Sequence, residues 1–126
     1  MVTQAVLQVP SVNKRKRVDL PKTIRQVLRE LKIGLFDVYG EQLSSAYLFG
    51  SYARGEGRPP NSDIDVLIVL KGKPDYREAQ KRSSDFIAAL CLEHDVVISW
   101  FFSSEMEYTQ SNMPFMITVR QDAVEI

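Results

Sequence analysis

The stretch from Tyr47 to Leu70 constrains the fold of this chain more than any other. It begins with an apolar run that ends at Gly50-Ser51, continues through a loop rich in Gly, Pro and Arg, and closes with a second apolar run over residues 64–70. Short apolar runs bounded by turn residues predict strands. The second run is almost continuously hydrophobic, which indicates a strand that is buried on both faces.

Two aspartates, Asp63 and Asp65, stand at the start of this second predicted strand. Because side chains two residues apart share one face of a strand, the two carboxylates are expected to lie side by side. Adjacent carboxylates repel each other, and neither is stable at the edge of a core without a partner. A divalent cation is the simplest partner, and carboxylate oxygens suit Mg²⁺, which also keeps water and substrate phosphates among its ligands.

Gly50 and Ser51 have properties that suit the other half of such a site. Glycine permits a positive φ and close approach of the backbone to a ligand, and serine offers a hydroxyl and an N–H to phosphate oxygens. A helix that starts near Ser51 would add the anion affinity of its N-terminal amides. Together with the aspartates, the turn predicts a nucleoside triphosphate held between a glycine turn and an Asp-bound metal.

The same motifs resemble the nucleotidyltransferase superfamily of the DNA polymerase β type, and most closely its minimal nucleotidyltransferase branch. The matching segments are Gly50-Ser51, Ala53-Arg54-Gly55 and Ser62-Asp63-Ile64-Asp65-Val66. One departure is that 11 residues separate Ser51 from Asp63, where the branch commonly has one fewer; Pro59-Pro60-Asn61 is the expected place of the extra residue. A surface loop tolerates such an insertion at little cost. The alternative interpretation is a glycine turn and an unrelated aspartate pair.

The resemblance implies an α/β (α+β) fold, with a small mixed sheet flanked by helices, and a two-ion Mg²⁺ site. It implies that Asp63 and Asp65 bind both metals and that a third carboxylate comes from the neighbouring strand. Asp95 is the position that matches this third acid, with Glu93 as the nearby alternative. Asp95 would bind the activating metal and could also serve as a base towards the acceptor hydroxyl.

The nucleotide-binding residues implied by the resemblance are Gly50, Ser51, Arg54 and Ser62. Gly50 and Ser51 would hold the β and γ phosphates of ATP. Arg54 and Arg58 are the nearest cations for phosphate charge, and the resemblance favours Arg54. Surface arginines are the alternative for both positions.

The resemblance also implies a reaction and a partner. NMP, taken to be AMP from ATP, would be transferred to an acceptor hydroxyl, and members of the minimal branch act as antitoxins beside a HEPN-domain ribonuclease toxin, some by adenylylating its tyrosine. Two other classes stay open. One is a non-catalytic nucleotide-binding module that neutralises its partner sterically, and the other is an enzyme acting on a small molecule or nucleic acid, which would be expected to carry an additional helical domain.

Apolar spacing predicts the remaining elements. An amphipathic helix begins near Pro21, and Gly34 is expected to end or weaken it; the segment 36–43 fits either a helix or a turn. Further predictions are a strand at 45–49, a helical turn at 53–57, helices at 75–92, 105–110 and 114–120, and strands at 95–102 and 124–126.

Composition supports one domain in a cytoplasmic protein, with an N-terminal arm at 1–20 and a nucleotidyltransferase domain at 21–126. The formal net charge is zero over 126 residues, which gives no support to nucleic-acid binding. The cluster Lys14, Arg15, Lys16 and Arg17 is interpreted as a solvated end, with nucleic acid or an acidic partner as the alternative.

The single Cys91 excludes an internal disulfide and a cysteine-based zinc site, and no membrane span or signal peptide is expected. His94, the only histidine, is interpreted as polar surface, with a titrating or orienting role as the alternative.

Overall fold

Helices and strands fill most of residues 18–126, the part of the chain that the computed structural model describes. The basic cluster at residues 14–17 lies outside these described residues. The helices are α1 (Lys22–Tyr39), α2 (Tyr76–His94), α3 (Glu105–Gln110) and α4 (Pro114–Asp122), and the strands are β1 (Leu43–Phe49), β2 (Ile64–Leu70), β3 (Ile98–Ser104) and β4 (Val124–Glu125). A short 3₁₀ helix, Gly40–Gln42, connects α1 to β1.

The strands form one mixed sheet in the order β3-β2-β1-β4. β1 is antiparallel to both β2 and β4, whereas β2 and β3 are parallel. A parallel neighbour requires a crossover connection, and α2 provides it between β2 and β3. The predicted fold class, a small mixed sheet flanked by helices, is thereby confirmed.

β2 is buried on both faces, as its hydrophobic run predicts. Val66 and Ile68 belong to the core cluster that contains α1 and α2, while Leu67 and Val69 belong to the cluster beneath α3 and α4. Because successive strand residues point to opposite faces, the two helical layers lie on opposite sides of the sheet. The side chain of Asp65 shares the face of Leu67 and therefore points to the layer of α3 and α4.

The prediction that Gly34 ends or weakens the first helix was wrong, since α1 continues to Tyr39. A Cβ added at Gly34 would lie 2.2 Å from the ring of Phe86 on α2. The missing side chain therefore makes room for the partner helix, and this packing outweighs the low helix propensity of glycine. The helix ends instead at Gly40, which has a φ of 54°.

The strand predicted to begin at Asp95 begins later, at Ile98. Helix α2 extends to His94, and Asp95 is its C-cap, with φ 55° and ψ 51° and with its N–H donated to the carbonyl of Cys91. Helix α3 begins at Glu105 as predicted, and Ser104 and Glu107 form a capping box at its start. No helix within residues 18–126 combines the length and apolarity needed to cross a membrane.

Candidate active site

The glycine turn and the second aspartate of the Asp-x-Asp pair meet where β1 ends and β2 begins. Phe49 pairs with Asp65 in the antiparallel register, so Gly50 directly follows the partner of Asp65. Gly50 has a φ of 79°, and a Cβ built on it would lie 2.2 Å from Oδ2 of Asp65. Only glycine therefore allows the carboxylate to lie against the backbone of the turn.

The loop after Gly50 is held by a set of local hydrogen bonds. The N–H of Arg54 donates to the carbonyl of Gly50 at 3.1 Å, and the N–H of Glu56 donates to the carbonyl of Ser51 at 2.9 Å. Tyr52 is buried in the core and anchors the loop from below. Residues 51–55 thus form a series of turns that brings Arg54 back to the glycine, so the turn begins earlier and ends earlier than the predicted 53–57.

Ser62, one of the predicted nucleotide-binding residues, has a partner inside the loop. Its hydroxyl accepts a hydrogen bond of 2.9 Å from the backbone N–H of Arg58. Nη1 of Arg58 donates to the carbonyl of Gly57, whereas the guanidinium of Arg54 bonds to the carboxylates of Glu56 and Asp122. The described contacts therefore favour Arg54 over Arg58 as the cation of the site, and they give Ser62 a structural contact at the entry to β2.

Asp122, the last residue of α4, belongs to the site although it was not predicted. Its Oδ2 accepts hydrogen bonds from the N–H of Gly50 at 3.3 Å and from Nη1 of Arg54 at 2.8 Å. Arg54 also bonds Glu56, and these hydrogen bonds, first to Glu56 and then to Asp122, raise the pKa of the Arg54 guanidinium. A signal was available in principle, because a carboxylate at a helix C-terminus is unfavourable towards the helix dipole and indicates a cationic partner.

The two aspartates interact electrostatically as their spacing predicts. Burial raises the pKa of Asp65, the charge of Asp63 raises it further, and the charge of Arg54 opposes both effects. A partly buried carboxylate whose pKa is raised by a like charge is stabilised by an added cation. The donor set of two carboxylates beside backbone amides suits Mg²⁺ together with phosphate oxygens.

The predicted third carboxylate, Asp95, lies before β3 and not within it. Ser99, not Asp95, is the residue of β3 that pairs with Asp65, and residues paired across neighbouring strands share a face. Asp95 is exposed at the end of α2. Within residues 18–126, Asp63, Asp65 and Asp95 do not form a group whose ligand atoms all lie within 4.8 Å, so a role for Asp95 in metal binding stays a prediction.

The group that does meet that distance is Glu30, Glu93 and His94. It lies between α1 and the end of α2, on the sheet face opposite to the side chain of Asp65. Nε2 of His94 is 3.1 Å from Oε1 of Glu30, and this hydrogen bond is the main cause that lowers the pKa of Glu30. His94 therefore contacts the first helix, and Glu93, the alternative third acid, belongs to this separate group.

Comparison with known proteins identifies the family of this chain. The model of the nucleotidyltransferase domain family matches residues 22–114. Among named relatives, "Putative protein adenylyltransferase MJ0141" of Methanocaldococcus jannaschii is 36% identical over 76 residues, which are 60% of this chain and 75% of the relative. "Putative protein adenylyltransferase MJ1215" of the same organism is 39% identical over 62 residues, or 49% of this chain and 69% of the relative.

Solved structures show the same fold. Two crystal structures of mutants of the MntA-HpeT toxin-antitoxin pair superpose with a TM-score of 0.54, at 16% and 20% identity. The matches cover 77% and 79% of this chain and 69% and 70% of those chains. Because the family model spans the glycine turn and both aspartates of the site, the chain belongs to the nucleotidyltransferase domain family and is an enzyme of the nucleotidyltransferase class.

Proposed function

We propose that this nucleotidyltransferase uses Mg²⁺ to transfer AMP from ATP to a tyrosine hydroxyl of a HEPN-domain ribonuclease toxin, and so acts as the antitoxin of a type VII toxin-antitoxin system in the cytoplasm. The names of the two relatives support adenylyl transfer to protein. The name of the MntA-HpeT pair, whose fold this chain shares, supports a toxin as the acceptor.

The observation that carries the proposal is the contact between the glycine turn and Asp65. The turn brings the N–H of Gly50 and the guanidinium of Arg54 together on Oδ2 of Asp122, and the Asp65 carboxylate lies against the backbone of the same glycine. Phosphate oxygens and a carboxylate-bound cation need these two kinds of group next to each other. Phosphoryl transfer depends mainly on such positioning and charge neutralisation.

The residues have distinct roles in this proposal. Asp63 and Asp65 would hold Mg²⁺, which neutralises charge on the phosphates and leaving group when bound. Gly50 and Ser51 bind the β and γ phosphates, and Arg54 exchanges part of its contact with Asp122 for phosphate. The acceptor oxygen bonds to the α phosphorus, the bond to the β-phosphate oxygen breaks, pyrophosphate leaves, and the hydroxyl proton passes to a base or to water.

The test is AMP transfer with ATP labelled on the α phosphate, Mg²⁺ and the toxin produced from the neighbouring reading frame. We expect Asp63→Asn and Asp65→Asn to lower transfer by about 10³-fold or more, because a metal ion contributes several kcal/mol to charge stabilisation. Asp37→Asn is the matched control, since Asp37 is an exposed aspartate on α1. Full transfer by either site variant contradicts the metal assignment.

A second candidate, the non-catalytic module that binds its partner sterically, is favoured by one observation. Ser99 stands beside Asp65 where a third carboxylate would complete the acid group. The same experiment separates the candidates: tight complex formation with no label on the toxin supports the module, whereas label on the toxin supports the enzyme. Label on a small molecule or an RNA end would instead support a different acceptor class.

A further inference from the structure

Three phenylalanines form what we call the aromatic wall: Phe49 of β1, Phe101 of β3 and Phe115 of α4. Their ring centroids lie 5.9 Å apart for Phe49 and Phe101, 5.8 Å for Phe49 and Phe115, and 5.2 Å for Phe101 and Phe115. Phe49 is only 8% exposed, whereas Phe101 is 41% and Phe115 is 46% exposed. The wall therefore has a buried base and two rings that offer apolar surface to a ligand.

The wall borders the carboxylate pair. Phe49 pairs with Asp65, and Phe101 pairs with Leu67, the next residue of β2 on the face of Asp65. The contact between the rings of Phe49 and Phe101 thus crosses β2 on the face that carries the Asp65 carboxylate. The backbone of Phe101 is therefore one strand across and two residues along from Asp65, a separation of about 8 Å.

The wall and the glycine turn lie in different directions from Asp65. Gly50 and Arg54 lie beyond the end of β1, while the two exposed rings of the wall lie inward, since Phe101 pairs with Leu67 and contacts Phe115. In-line transfer places the attacking hydroxyl and the leaving pyrophosphate on opposite sides of the phosphorus. If the pyrophosphate lies on the turn, the acceptor approaches from the side of the wall.

We propose that Phe101 and Phe115 bind the aromatic ring of a phenolic acceptor, a tyrosine side chain, and direct its hydroxyl towards the metal held by Asp65. This inference rests on the proposed function. Offset or edge-to-face packing of a third ring extends the existing cluster, whereas a serine or threonine acceptor would leave both rings exposed. In the transfer, the phenol oxygen bonds to the α phosphorus, the bond to pyrophosphate breaks, and the phenol loses its proton.

The decisive experiment measures acceptor binding and ATP binding separately. The probe is N-acetyl-tyrosinamide, titrated into the protein with Mg²⁺ and a non-hydrolysable ATP analogue, with N-acetyl-serinamide as the matched probe. NMR of phenylalanine labelled with carbon-13 reports whether the signals of Phe101 and Phe115 shift. We expect the tyrosine probe to shift them and the serine probe to leave them unchanged.

The variants are Phe115→Ala and the milder Phe115→Leu, which loses the ring but keeps apolar side-chain atoms near Phe49 if the alanine variant fails to fold. Loss of one aromatic contact should weaken binding of N-acetyl-tyrosinamide about 2- to 10-fold, with unchanged affinity for the ATP analogue. Phe36→Ala is the control, since Phe36 is 56% exposed on α1, away from the wall.

Two results would overturn the inference. A loss of affinity for the ATP analogue would show that the rings stack on adenine, and an unchanged affinity for both probes would show that the wall binds neither. The binding titration also tests the role of the rings independently of the proposed function. If the protein transfers no AMP to any acceptor, the function fails while the titration still decides the role of the rings.

Discussion

Replacing Gly50 by alanine separates two reasons for glycine at the turn. The backbone at Gly50 has a φ of 79°, and Gly72, in the turn after β2, has a φ of 73°. An alanine at either position adopts a left-handed backbone that costs about 1–2 kcal/mol. A Cβ at Gly72 meets nothing within 4 Å, whereas a Cβ at Gly50 meets Oδ2 of Asp65 at 2.2 Å. Gly72→Ala therefore controls for backbone strain alone.

The contact with Asp65 adds a second effect. The carboxylate must move by about 1 Å or change rotamer to restore an ordinary van der Waals distance, which adds about 0.5–1.5 kcal/mol of strain. A displacement of about 1 Å in a reacting constellation lowers the rate by about 10²-fold. We expect Gly72→Ala to retain activity and Gly50→Ala to lose about 10²-fold in AMP transfer and in the response to Mg²⁺.

Thermal unfolding and Mg²⁺-dependent ATP binding by calorimetry give the two readouts. Gly72→Ala should lower the unfolding midpoint by about 4–8 °C, at about 4 °C per kcal/mol for a domain of this size, and should bind Mg·ATP as the wild type does. Gly50→Ala should unfold at a similar or lower temperature and bind Mg·ATP weakly. Equal Mg·ATP binding by the two variants would refute the argument that Gly50 exists to admit the Asp65 carboxylate.

Three further predictions concern the charges of the site. Burial and the charge of Asp63 raise the pKa of Asp65 in the folded state, so its contribution to stability is complete at low pH and is lost as the pH rises through that pKa. Asp65→Asn should therefore raise the unfolding midpoint at neutral pH in the absence of metal. A lowered midpoint in scanning calorimetry would contradict this. Ser99→Asp places a third carboxylate opposite Asp65. We expect tighter Mg²⁺ binding by calorimetry and a lower unfolding midpoint when a chelator has removed the metal. An unchanged affinity for Mg²⁺ would show that the two side chains do not converge. Asp122→Asn removes the charge that pairs with Arg54 and should cost about 1 kcal/mol in urea unfolding, since the pair is partly exposed; an unchanged unfolding midpoint would show that water replaces the contact.

The elements around the glycine turn could be predicted because local chemistry specifies them. The run from Ile64 to Leu70 is apolar at every position except Asp65, and β2 has those bounds. The helix predicted at 105–110 is present as α3, with Ser104 and Glu107 as its capping box, and Pro114 begins α4 as predicted. The proximity of Gly50 to Asp65 was predicted from the ligand chemistry of the glycine turn and the aspartates, and the antiparallel pairing of β1 with β2 is the structural reason for it.

The local structure at Asp95 could not be predicted in this way because it depends on where a helix ends. Asp95 precedes an apolar run, so the pattern predicts a strand entry, but α2 continues to His94 and takes Asp95 as a left-handed cap. Aspartate is one of the few residues that tolerate this conformation, and the pattern of apolar residues does not predict it. A similar tertiary effect carries α1 through Gly34, where the ring of Phe86 occupies the space of the missing side chain.

Helix α4 carries side chains that contact both the glycine turn and the aromatic wall. Phe115, Val119 and Asp122 are spaced at i, i+4 and i+7, which places them along one face of the helix. Val119 is buried in the core beneath the helix, Phe115 belongs to the aromatic wall, and Asp122 contacts Gly50 and Arg54. The same buried contact therefore fixes Phe115, on the proposed acceptor side, and Asp122, beside the proposed phosphate site, about 10 Å apart along the helix. If Arg54 gives up part of its bond with Asp122 to bind phosphate, as proposed, nucleotide binding changes a contact of the helix that also carries Phe115, and bound ATP then alters acceptor binding.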